Sequence, residues 1–106
     1  MTVLSVRKER IRLMITRVLG RVRDPQRFST HEVLNLVQEM SRDDLRGIPF
    51  AQSILRRIEN PVTFSMYLRG HPQIMKHEDG IVDISAWGEP RVRSGLWMLK
   101  SDNLEN

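Results

Sequence analysis

The chain has 106 residues, 17 basic and 13 acidic side chains for a net charge of +4, and no cysteine, which fits one domain with a single core. The missing cysteine excludes disulfides, thiolate catalysis and sulfur-ligated zinc, and no apolar run approaches the roughly 18 residues of a membrane span. The opening stretch, MTVLSVRKERIR, places charge where a secretory leader has its apolar region, so a cytoplasmic protein with no membrane partner is expected.

Fourteen arginines stand against three lysines, Lys8, Lys76 and Lys100. Guanidinium forks match phosphates and guanine edges, which suits nucleic acid, although a genome rich in arginine codons gives the same count. The charge is uneven along the chain. Residues 1–27 sum to +6, residues 28–70 to zero, residues 71–90 to −3 and residues 91–106 to +1. The positive field is therefore expected on the N-terminal segment.

Residues 4–19 read as a helix, with Ile11, Ile15, Val18 and Val22 at helical spacing and Leu4 and Met14 flanking that stripe. Arg7, Arg10, Arg17 and Arg21 line another face, which serves either as a solvated surface or as a contact for phosphate or a partner. Gly20 lies near the end of this helix and Asp24-Pro25 closes the segment. Phe28 to Val33 then opens a second helix. Ser29 and Glu32 form a capping box, Phe28 and Val33 a hydrophobic staple, and Val33, Leu36, Val37 and Met40 a buried stripe running to about Ser41. His31, in the first turn, is expected at the surface.

Residues 42–48 are turn-like, and Asp43-Asp44 fits a polar turn better than an acid and base pair. Pro49 can open a third helix, Phe50 to about Glu59, burying Phe50, Ile54, Leu55 and Ile58 with Arg56 and Arg57 outward. Asn60 as N-cap and Pro61 at the first helical position start a fourth helix over 61–69, with Phe64, Tyr67 and Leu68 inward. Gly70 and Pro72 end it, with Arg69 in the last turn. Asp79-Gly80 is a strong hairpin dipeptide; as a two-residue loop it pairs Lys76 with Asp83 and Met75 with Ile84, and turns Met75, Val82, Ile84 and Ala86 to the core. Residues 88–93 form a connection, Arg93 to Lys100 adds a strand or a short helix, and residues 101–106 form a flexible tail.

This order of helix, capped helix, helix, short helix and hairpin resembles the winged helix-turn-helix superfamily over residues 28–87, with residues 4–19 as its first helix. The stretch PVTFSMYLRGHPQIMKHEDGIVDI is similar to the recognition helix and following wing of small prokaryotic and viral regulators. The resemblance implies a mostly α fold with a small antiparallel β-hairpin, a single winged-helix domain over 1–100 before the tail. It further implies sequence-specific binding of double-stranded DNA by a small transcriptional regulator, expected as a homodimer. Thr63, Ser65 and Arg69 of helix 61–69 would face DNA, and Asn60 and Thr63 would hold a phosphate or read a base edge. Arg56, Arg57 and the first-helix residues Arg7, Arg10, Arg17 and Arg21 would bind backbone. The stretch between Met40 and Asn60 exceeds the usual short turn, so residues 49–59 read as the middle helix of the unit or as an insertion. The acidic wing tip His77-Glu78-Asp79 opposes phosphate unless His77 is protonated, which leaves the arginine-lined helices to carry affinity.

Catalysis finds little support. His71 and His77 with Glu78 and Asp79 match no standard metal spacing, and neither a phosphate-cradling glycine loop nor a nucleophile elbow is present. Neither an enzyme nor a cofactor is expected. Trp87, Leu96, Trp97, Met98 and Leu99 admit two readings: burial against the first helix, or an interface. The second supports an alternative function, a winged-helix module that docks a protein partner through this C-terminal segment.

Overall fold

A computed structural model describes residues 3–58, 60–83 and 93–100, with side chains from Val6 onward. The expectations for Leu4, Ile84, Ala86, Trp87, residues 88–92 and the tail 101–106 fall outside the described residues and side chains. Four α-helices and a three-stranded antiparallel sheet make up the described fold: α1 (Val3–Val18), β1 (Phe28–Ser29), α2 (Thr30–Gln38), α3 (Ala51–Leu55), α4 (Pro61–Arg69), β2 (Ile74–Asp83) and β3 (Arg93–Leu99). The strand order is β1-β3-β2, so the last strand lies in the middle.

The spine of the core is α1, as its periodicity demands. Ile11, Met14, Ile15 and Val18 are wholly shielded from solvent, Val22 is buried just beyond the 3₁₀ turn Leu19–Arg21, and α2, α3 and α4 all pack on the helix. The start of α2 follows its capping signal in part. Ser29 Oγ accepts from the Glu32 N–H at 3.1 Å, but the Glu32 carboxylate accepts from the Arg23 N–H at 2.8 Å, with Ser29 itself in the ladder opposite Leu96. Val33, Val37 and Met40 of the expected stripe are buried, Leu36 is only partly so, and Leu34 takes a buried position in its place.

Two expectations are corrected here. Asp79-Gly80 is not a hairpin loop: Ile74–Asp83 is one strand, and it pairs with Arg93–Leu99. Lys76 faces Trp97 and Asp83 faces Arg93, so the two do not face each other. Between Lys76 and Ile81 five steps on β2 match two on β3, and Gly80 takes φ +76° in this irregular stretch. The physical reason is burial. Placing β3 in the centre shields Leu96 and Trp97 to 2% exposure each, worth about 1.5–3 kcal/mol per large side chain, whereas a single cross-strand pair contributes about 0.2–1 kcal/mol. The C-terminal run is thus a strand, Ile74 is the buried residue, and Met75 is 44% exposed.

Phe50 is the other correction. It is 76% exposed, and it caps α3 in the left-handed region at φ 57°, the one non-glycine positive φ among the described residues. The Arg10 guanidinium lies 5.6 Å from its ring centroid, a contact available to an exposed aromatic. Ala51, Ile54 and Ile58 take the core positions.

The sheet is tied to α2 by a buried hydrogen bond. Trp97 Nε1–H donates to Thr30 Oγ1 at 2.8 Å, and Gly95 passes so near that a Cβ would lie 3.2 Å from that oxygen. Thr30→Val keeps the side-chain shape and deletes the acceptor, leaving a buried N–H unpaired. It should lower stability by about 1–3 kcal/mol, read as a lower urea midpoint at constant m-value; an unshifted midpoint would contradict a stabilising role for the bond.

Candidate functional site

The fourth helix presents two different sides. Asn60 Oδ1 accepts from the Val62 N–H at 2.8 Å and Pro61 occupies the first turn, so the helix starts where its cap dictates. Phe64 and Leu68 anchor it inward at 1% and 0% exposure. Outward it shows Val62, Thr63, Met66 and Arg69, and its nine residues include no carboxylate. Ser65 is half-buried, and its hydroxyl donates to the Val62 carbonyl at 2.6 Å. Thr63 and Arg69 therefore present free polar ends outward, whereas the Asn60 oxygen and the Ser65 proton already have partners within the helix.

Buried His71 locks the far end of α4 to α1. The Thr16 hydroxyl donates to the Arg12 carbonyl at 2.9 Å, so it accepts from His71 Nε2–H at 2.8 Å; His71 Nδ1 accepts from the Gln73 N–H at 3.1 Å. This pattern specifies the neutral ring. Burial first, and the Arg12 guanidinium second, lower the His71 pKa from its ordinary value, against an opposing backbone hydrogen-bond contribution. Arg12 also donates to the Gly70 carbonyl at 3.2 Å, just past the helix end.

Between α4 and the sheet lies a cleft of about 220 Å³. Val62, Ser65 and Arg69 line one wall, Lys76, Ile81 and Arg93 the other, and Thr30 and Trp97 also line it. His31 and Ser94 belong to the lining as well: Ser94 Oγ accepts from the His31 N–H at 3.1 Å and lies 2.7 Å from His31 Nδ1. His31, expected at the surface, is accordingly half-buried. Among the described residues three cations line the cleft and no carboxylate does, with Asp83 standing opposite Arg93 in the β2–β3 ladder. Glu78 and Asp79 belong to the irregular part of β2 and not to a wing tip, and Asp79 lies 3.8 Å from Arg27.

The other arginines singled out from the sequence gather elsewhere. Arg21 holds Asp44 through two hydrogen bonds, 2.7 and 3.1 Å, and Arg17 donates to the carbonyls of Asp44 and Arg46 at 2.8 and 2.7 Å. Ser41 and Asp44 cap each other in the same turn, Ser41 N–H to Asp44 Oδ2 at 3.0 Å and Asp44 N–H to Ser41 Oγ at 3.1 Å. The Arg21 hydrogen bond, followed by that from the Ser41 N–H, holds the Asp44 carboxyl well below the usual carboxylate range. Arg10 covers Phe50, Arg56 lines a second groove with Phe50 and Arg42, Arg57 is exposed, and Arg7 is half-buried. Periodicity marked Arg69 correctly as a surface cation, but Lys76 and Arg93 were missed as its neighbours. That neighbourhood depends on the β2–β3 register, which carries no local signal.

Among the described residues no group of three His, Asp or Glu gathers as metal ligands, and no helix is long and apolar enough to cross a membrane. Comparison with known proteins finds no matching family model, no similar curated protein and no similar solved structure.

The neutral state of His71 has a consequence for stability. With its folded pKa below the ordinary value of about 6.5, the unfolded chain binds the extra proton first as pH falls. Stability from this group is complete above pH 6.5 and declines below it, until the folded ring also protonates. The urea midpoint should fall between pH 7 and pH 5, and His71→Gln should flatten that part of the profile. An equally steep decline in the variant would assign it to other groups.

Proposed function

We propose that the protein is a small winged-helix regulator that binds double-stranded DNA in a sequence-specific manner, with α4 in the major groove. The observation that carries this reading is electrostatic. The outward side of α4 and the adjoining cleft present Arg69, Lys76 and Arg93; α4 carries no carboxylate, and among the described residues none lines the cleft, Asp83 standing opposite Arg93 in the ladder at its edge. A phosphodiester strand passing between α4 and β2–β3 would meet all three cations. The chain order also supports it: a helix, a short strand, two helices, the outward helix and a ribbon whose second strand returns between the others is the layout of a winged helix.

On this reading Thr63 and Arg69 approach base edges or phosphates, and Asn60 contributes the amide end of its side chain. Arg17 and Arg21 are assigned to holding the 41–47 turn, since their donors are already engaged there. Docking of a protein partner through the C-terminal segment is the weaker reading, because Leu96 and Trp97, two of its anchors, are committed to the core at 2% exposure.

Duplex titration across a salt series tests the proposal. Log K should fall linearly with log salt, Arg69→Ala should weaken binding and reduce the slope by about one unit, and Arg17→Ala should leave the slope unchanged. Absence of salt-dependent duplex binding overturns the DNA reading; an unaltered slope for Arg69→Ala removes α4 from the contact.

A further inference from the structure

The outward side of α4 is not simply basic. Val62 is 76% exposed and Met66 65%, and they lie four residues apart, one above the other on the same helical face. Ile81, 60% exposed, lines the cleft together with Val62, so apolar surface extends from the helix toward β2. Arg69, one turn beyond Met66, and Lys76 and Arg93 across the cleft supply the cationic border. This surface fits a polyanion that also offers small apolar groups. A DNA major groove does so at one place only, the C5-methyl of thymine.

We propose that Val62 and Met66 read thymine methyl groups, so that the preferred duplex carries thymine at the positions beneath them. The inference rests on the DNA-binding reading above and deepens it. Residues four apart on a helix are separated by about 6 Å along its axis, which spans roughly one to two base-pair steps. The two thymines therefore stand one or two steps apart. Arg69, at the end of the same stripe, reaches the backbone or a guanine beside them.

The test begins with selection of bound sequences from a random duplex library by the full chain. Each thymine of the selected site is then replaced singly by deoxyuridine, which removes the methyl and leaves every hydrogen-bonding group in place. The expected result is a loss of about fourfold in affinity at one or two neighbouring positions, the value of one buried methyl. Val62→Ala and Met66→Ala, at positions too exposed to affect folding, should each bind the thymine and deoxyuridine duplexes alike at one of these positions. Selection of a site whose binding is indifferent to deoxyuridine everywhere overturns the inference while leaving DNA binding intact. So does methyl sensitivity that persists in both variants. Failure to select any duplex overturns both readings, and a concentration-dependent dimer in sedimentation that Val62→Ala abolishes assigns the patch to a second copy of the chain instead.

Discussion

The hydrogen bond from the Trp97 indole to Thr30, 2.8 Å long and buried, connects the last strand of the domain to the first turn of its second helix. Much of the architecture depends on it. Backbone ladders place β3 between β1 and β2, the indole bond ties that strand to α2, and the central place permits Leu96 and Trp97 to be buried together. Trp97 and Thr30, the two partners of the bond, also line the cleft beside α4. Gly95 is needed where it stands, since a Cβ there would press on both partners, 3.2 Å from Thr30 Oγ1 and 3.3 Å from Trp97 Nε1. An indole donor is useful at such a place because it is large enough to fill the core and still has one polar group to direct. One contact thus joins the packed core to the candidate site.

Charge shows how a sequence average differs from a surface. Residues 1–27 sum to +6, yet Arg10, Arg17 and Arg21 turn toward the 41–50 loop, where two of them bind Asp44 and carbonyl oxygens. Residues 71–90 sum to −3, yet their one basic side chain, Lys76, reaches the cleft while Asp79 lies toward Arg27. The three cations of the cleft come from α4, β2 and β3, brought together by tertiary contacts. An arginine with a carboxylate at 2.7 Å and backbone carbonyls in reach is a strut before it is a phosphate ligand.

What was legible in the sequence had local causes. The α1 stripe follows from spacing alone, and the bounds of α4, Pro61–Arg69, follow from an asparagine cap, a proline and a glycine stop. Ser29 announced α2 in the same manner. The features that were not legible depend on distant partners. Asp79-Gly80 has the chemistry of a tight hairpin, but a two-residue turn there would have left Leu96 and Trp97 without the strand that covers them. Phe50 reads as a core residue by type, and its exposure reflects the backbone at φ 57°, which no periodicity encodes. His31 reads as a surface residue because its partner, Ser94, lies 63 positions away. In the candidate site, Thr63 and Arg69 were legible as outward residues of a capped helix. Val62 and Met66, apolar and outward, were not, because an apolar residue gives no local sign of being left uncovered.

The composition of α4 bears on the choice between a helix that merely packs and one that meets an anion. At nine residues it is shorter than the roughly 12–15 that a helix needs to persist alone in water, so tertiary anchoring by Phe64, Leu68 and the His71 lock decides whether it forms. Its outward positions are consequently free of the fold. An aspartate or glutamate in the first turn, at Val62 or Thr63, would stabilise the helix by about 0.3–1 kcal/mol through the positive end of its dipole. Neither position carries one, as in the first turns of α1 and α3, whereas α2 takes that benefit with Glu32. On the proposed reading an acidic side chain at either position would stand against the phosphate backbone, so the open first turn of α4 is compatible with its role as the contacting helix.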